Sequence, residues 1–98
     1  MKIWPSHSKP MAVAKQLKKE VFTQPGTNYL ILVWWRDSWW QYTGTHWKES
    51  ETLDVLQPIW ECLEEAEIET DKGNRPWEPT TAKIGGLIQP LQIVTRLP

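Results

Sequence analysis

"LVWWRDSWWQYTGTHW", residues 32–47, carries five of the chain's eight tryptophans. Its first half extends back to "YLILVWW" (29–35), a β-branched and aromatic run that is apolar on both faces of a strand. "RDS" supplies a turn. "WWQYTGTHW" (39–47) then returns as a second strand, with Trp40 and Tyr42 on one side and Trp39, Gln41 and Thr43 on the other. The stretch therefore predicts a β-hairpin, and its register decides which rings meet. A two-residue loop at Asp37-Ser38 pairs Trp35 with Trp40 and Val33 with Tyr42; a three-residue loop pairs Trp34 with Trp40 and exchanges the faces of the first strand. In the first register Ile31, Val33, Trp35, Trp40 and Tyr42 form one unbroken apolar row, the expected core face. Trp34, Trp39 and Trp47 then fall on the opposite face with Arg36, and are expected to be exposed.

Working outward, "KIW" (2–4) reads as a short edge strand, and "KPMAVAKQLKKEVF" (9–22) as a helix capped by Ser8 with Pro10 in its first turn. Val13, Leu17 and either Glu20 or Val21 fall at helical spacing with Ala14 beside them, away from Lys15, Lys18 and Lys19. Pro25-Gly26 ends that element. A second helix follows in "SETLDVLQPIWECLEEAEIETDKGN" (50–74), with Leu56, Ile59, Leu63 and Ala66 at helical spacing and Glu61, Glu64 and Glu65 outside the stripe. Proline is poorly tolerated inside a helix, so the helix is expected either to begin near Gln57 with Pro58 in its first position, the preferred reading, or to be capped by Asp54 with Pro58 in a strained first turn, and to end at Lys72-Gly73-Asn74. "RPWEPTTAK" (75–83) is a loop, the glycines of "IGGL" (84–87) mark a turn or a bulge, and "LQIVTRL" (91–97) reads as a last strand. The expected fold is α+β, in the order (β)αββαβ: a small antiparallel sheet, built on the Trp-rich hairpin plus edge strands, packed on two helices. Ninety-eight residues suit a single domain, 1–98.

Composition narrows the function classes. The chain is 40% apolar and 23% charged, which is globular rather than disordered. Its net charge of −1 conceals segregation: residues 1–48 carry +5, residues 49–71 carry −9, and residues 72–98 carry +3. Such a bipolar surface suits an acidic helix that meets a basic partner. Cys62 is the one cysteine, so an intrachain disulfide is excluded and a reducing, cytoplasmic setting is expected. "MKIWPSHSKP" lacks the apolar region of a secretory signal, and the run from Tyr29 to Trp35 is too short to cross a bilayer as a helix. No membrane association is expected.

Catalytic patterns are missing. His7, His46 and Cys62 lack zinc-ligand spacing. Ser38, Asp37 and His46 share one hairpin without a nucleophile elbow or an oxyanion loop. "IGGL" precedes no Gly-Lys-Ser/Thr, so it is not a phosphate loop. The expectation is a non-enzymatic protein without cofactor or metal. Clustered tryptophans beside an arginine have the composition of an interface hot spot. The expected contact residues are Trp34, Arg36, Trp39 and Trp47 on the sheet, and Glu61, Glu64 and Glu65 on the helix. A protein partner or self-association is the first reading, because an apolar patch needs no electrostatic field. Single-stranded nucleic acid stacked on the rings is the second, weakened by the scarcity of cations within 29–48. Small chains of this type suit an accessory or inhibitory factor, such as those of phages and mobile elements.

Overall fold

The computed structural model describes residues 3–97. Its elements are α1 (Pro10–Glu20), β1 (Leu32–Trp35), β2 (Ser38–Tyr42), β3 (Trp47–Ser50), α2 (Thr52–Glu64), β4 (Glu67–Thr70), β5 (Gly73–Pro76), α3 (Thr81–Gly85) and α4 (Ile88–Thr95). The α+β class and the small antiparallel Trp-rich sheet on helices are as the sequence predicts. Strands β1, β2 and β3 form one sheet in that order, and β4 pairs with β5 in a second. A single buried cluster joins Val13, Ala14 and Leu17 of α1, Val55, Ile59 and Leu63 of α2, and Ile84, Leu87 and Leu91 of the C-terminal region, with Leu32 and Trp39 of the sheet. Helix α4 packs against both α1 and β1.

The first helix forms as its pattern requires. Pro10 occupies its first turn, where no intrahelical N–H is needed, and Val13, Ala14 and Leu17 are buried. Its N-cap is Lys9 rather than Ser8. Of the expected strand at 2–4, Lys2 lies outside the described residues; Ile3 makes a parallel bridge to Glu67, and Trp4 N–H donates to the Glu67 carbonyl at 2.7 Å.

The second helix differs at both ends from the sequence expectation. It starts at Thr52, six residues before Pro58, so the proline lies inside it. Asp54 accounts for the early start: its carboxylate accepts the Glu51 N–H at 3.3 Å, and an acid in the first turn also favours the helix dipole. The added turn buries Val55, which offsets part of the cost of an interior proline. At the other end the helix stops at Glu64. The backbone beyond it is taken by other segments, because Trp77 N–H bonds to the Ala66 carbonyl and Trp4 N–H to Glu67. Residues 67–76 therefore form a hairpin, in which Gly73, at φ +104°, serves the turn rather than a helix end.

"LQIVTRL" is mostly helix, not strand. Leu87, Leu91 and Thr95 recur one helical turn apart and are all buried, and Pro90 falls harmlessly in the first turn. The buried Thr95 hydroxyl is satisfied by donating to the Leu91 carbonyl at 2.7 Å. Only the end of this segment is extended: Arg96 bridges Trp34 in parallel, and Leu97 N–H donates to the Trp34 carbonyl at 2.9 Å.

Candidate binding face of the tryptophan-rich sheet

The hairpin turns at Arg36-Asp37, so neither expected register forms. Val33 pairs with Trp40, Trp34 with Trp39, and Trp35 with Ser38. Arg36 and Asp37 adopt φ +50° and +60°, the double left-handed geometry of a type I′ turn, whose twist matches that of the flanking strands. Asparagine and glycine suit those positions best. Aspartate tolerates them, and arginine pays a steric cost of about 1–2 kcal/mol. The second strand also ends early, at Tyr42. Thr43–His46 form a second turn, with Gly44 at φ +104°, and Trp47 opens a third strand by pairing with Tyr42. The turn is held by Thr43 N–H, which donates to the His46 carbonyl at 2.9 Å.

The observed pairing is displaced by two residues from the expected two-residue-loop register, and side chains alternate with period two, so the grouping of residues survives. Val33, Trp35, Trp40 and Tyr42 do share a face. The sidedness is reversed. Leu32 and Trp39 belong to the buried cluster, with Trp39 only 3% exposed. Half-buried Trp34 stands edge-on to Trp39 at 4.9 Å on that same inner face. Trp39 is thus a core residue, and Trp34 packs against it; neither belongs to the open surface expected of them. Trp35, Trp40 and Tyr42, expected to close the core, lie on the outer face.

That outer face is the candidate site. Trp47 is 43% exposed and stands 5.5 Å from Tyr42, itself 38% exposed. Trp35 and Trp40 are half-buried, their ring centres 6.0 Å apart in an edge-to-face arrangement. Between the rings lies an apolar cleft of about 360 Å³, walled by Val33, Trp35, Trp40, Trp47 and Leu97. No helical residue contributes to those walls. The Trp40 indole N–H is buried with no hydrogen-bond partner among the described residues. Leaving such a donor unsatisfied costs roughly 1–3 kcal/mol. Arg36 places its guanidinium 4.6 Å above the Trp35 ring at the hairpin tip.

Trp77 is no part of the cleft walls. It is 2% exposed, and its indole N–H donates to the Pro5 carbonyl at 2.9 Å. The two edges of the sheet also differ. Residues 96–97 bond to β1, whereas β3 is an edge strand carrying Lys48 and Glu49, charges that discourage edge-to-edge association. Glu61, Glu64 and Glu65 are exposed at the C-terminal end of α2, as expected, but none of them borders the cleft.

Of the seven residues expected to make contacts, the structure brings Arg36 and Trp47 to the outer face. Trp35, Trp40 and Tyr42 were missed as contact residues. The hairpin itself holds no signal that could have found them, since a displacement of two residues leaves both rows of the sheet intact and both rows of β1 are apolar. No family profile, curated protein sequence or solved structure matches this chain. Among the described residues, no helix is long and apolar enough to cross a membrane.

Proposed function

We propose that this chain is a small non-enzymatic binding protein, accessory or inhibitory in role, whose contact surface is the outer face of the Trp-rich sheet. The observation that carries this reading is the set of aromatic rings, Trp35, Trp40, Tyr42 and Trp47, left partly exposed around an apolar cleft. Monomeric proteins rarely leave such surface without a use, and tryptophan, tyrosine and arginine are the residues that dominate binding energy at interfaces. The orphan Trp40 donor adds to this, because a buried N–H is ordinarily satisfied within the protein. The acidic end of α2 stands apart from the face and is a separate, weaker candidate for contact.

The test is capture from a cell lysate by the wild type and by a Trp35→Ala/Trp47→Ala double variant, each with and without nuclease. Both positions lie outside the buried cluster, so the variant should keep the wild-type circular dichroism spectrum. A partner retained by the wild type and lost from the variant is the expected result. Equal capture by both proteins would refute the face.

A further inference from the structure

The outer face continues into grooves at both ends. At the hairpin tip it meets a groove of about 420 Å³ between the turn and α4, whose walls include Arg36, Arg96, Gln89 and Gln92. Trp35 and Leu97 belong both to this groove and to the apolar cleft. At the opposite end, Tyr42 and Trp47 border a depression of about 400 Å³ that extends to Gln24. Gln24 in turn borders a groove of about 430 Å³ lined by Lys15, Lys18 and Lys19. The sequence scatters these cations; the fold sets them at the two ends of one aromatic band.

The acids are arranged to match. None of the nine acids between residues 49 and 71 lines any of these four depressions. The acids that do are Asp37 and Glu20, and Glu20 accepts a hydrogen bond from Gln16 at 3.1 Å. Glu49 pairs with Trp40 in the sheet and by register shares the outer face, the one acid there. Arg36 gives an independent indication. It holds a left-handed conformation in a turn that asparagine or glycine would stabilise, and it presents its charge where the aromatic cleft meets the arginine groove. Strain of this kind persists where the side chain has a use.

We propose that this band binds single-stranded nucleic acid. Unpaired bases stack on the outer-face rings, and phosphates are held by Arg36 and Arg96 at one end and by the α1 lysines at the other. The inference rests on the outer face being the contact surface. It selects a polyanion with exposed flat bases because aromatic rings flanked by cations match both features at once, and a duplex hides the base faces.

The probe is oligothymidylate of roughly 15 nucleotides, within the range such stacking sites occupy, titrated while tryptophan fluorescence is followed. Quenching is expected, with an affinity that falls as salt rises. Each neutralised phosphate contributes a slope of about −0.7 in log K against log salt, so three to five contacts give roughly −2 to −3.5. Arg36→Asn with Arg96→Gln should weaken binding at least tenfold and reduce that slope by about 1.4. Trp35→Ala with Trp47→Ala should weaken it tenfold or more with the slope unchanged. Glu49→Gln should tighten it, and Arg75→Gln, on β5 away from the band, should leave it unaltered. Absence of quenching overturns the inference, as does binding of duplex or anionic vesicles that equals oligothymidylate and ignores the Trp substitutions. If the oligonucleotide fails while nuclease-treated lysate still yields a partner that depends on Trp35 and Trp47, the nucleic-acid inference falls and the contact face stands. If acrylamide reaches none of the outer indoles, both fall.

Discussion

Replacing Trp39 by alanine separates the two faces of the sheet energetically. The ring is 3% exposed and meets Trp34 on the inner face, within the cluster that joins sheet and helices. A buried tryptophan removes about 200 Å² from water, worth about 5 kcal/mol at 25 cal/mol per Å². Alanine recovers part of that burial while the vacated space adds a cavity penalty, so the net loss is about 3–5 kcal/mol. A chain of this size has about 5–15 kcal/mol in all. Trp40→Ala starts from a half-buried ring and also removes an unsatisfied buried N–H, which places its cost at about 1–2 kcal/mol. Urea unfolding followed by far-ultraviolet circular dichroism, which is insensitive to the lost fluorophore, measures both. With a denaturant slope of about 2 kcal/mol per molar, the Trp39 variant should lose about 2 M in its midpoint and the Trp40 variant less than about 1 M. A Trp40 variant as destabilised as the Trp39 variant, or more so, would refute the assignment of faces.

Three further substitutions probe local features. Arg36→Gly relieves the left-handed strain but gives up the cation–π contact and adds freedom to the unfolded chain, so stability should stay within about 1 kcal/mol of wild type by thermal melting; a loss of more than twice that would show Arg36 to be structural. Glu64→Lys replaces an exposed acid at the C-terminal end of α2, where no basic residue now meets the helix dipole, and should raise the melting temperature by about 1–5 °C, an effect that shrinks in high salt. A fall in melting temperature would contradict that reading. Pro58→Ala restores an N–H inside α2 and should stabilise by about 1–2 kcal/mol in urea unfolding, unless Pro58 instead begins the helix, in which case the substitution is neutral or harmful.

Much of the fold is legible in the sequence where one pattern has no competitor. The α1 stripe Val13, Ala14 and Leu17 is such a case, and so is Ile59, Leu63 and Ala66 in and just beyond α2. Reading fails where two physical preferences compete. Residues 67–70 continue the acidic run of α2, yet Ile68 and Thr70 are β-branched and the backbone is claimed by bonds from Trp4 and Trp77, contacts distant in sequence. Ile93, Val94 and Thr95 favour a strand locally, but the turn-by-turn spacing of Leu87, Leu91 and Thr95 against α1 and β1 wins. The sidedness of the hairpin was the hardest to see. Both rows of β1 are apolar, so polarity cannot choose between them, and the choice falls to α4, which covers the row of Leu32 and Trp34. The cationic grooves were likewise invisible, because Lys15, Arg36 and Arg96 meet the aromatic band only through tertiary folding.

Hydroxyl-radical footprinting, read tryptophan by tryptophan by mass spectrometry, addresses the contact face most directly. In the free protein Trp47 should be oxidised fastest, Trp35 and Trp40 at intermediate rates, and Trp4, Trp39 and Trp77, each at most 3% exposed, slowest. Saturating oligothymidylate should then protect Trp35, Trp40 and Trp47 and leave the slow group unchanged. Oxidation of Trp39 as fast as that of Trp47, or oligonucleotide binding without protection of the outer rings, would contradict the assignment of the outer face as the binding surface.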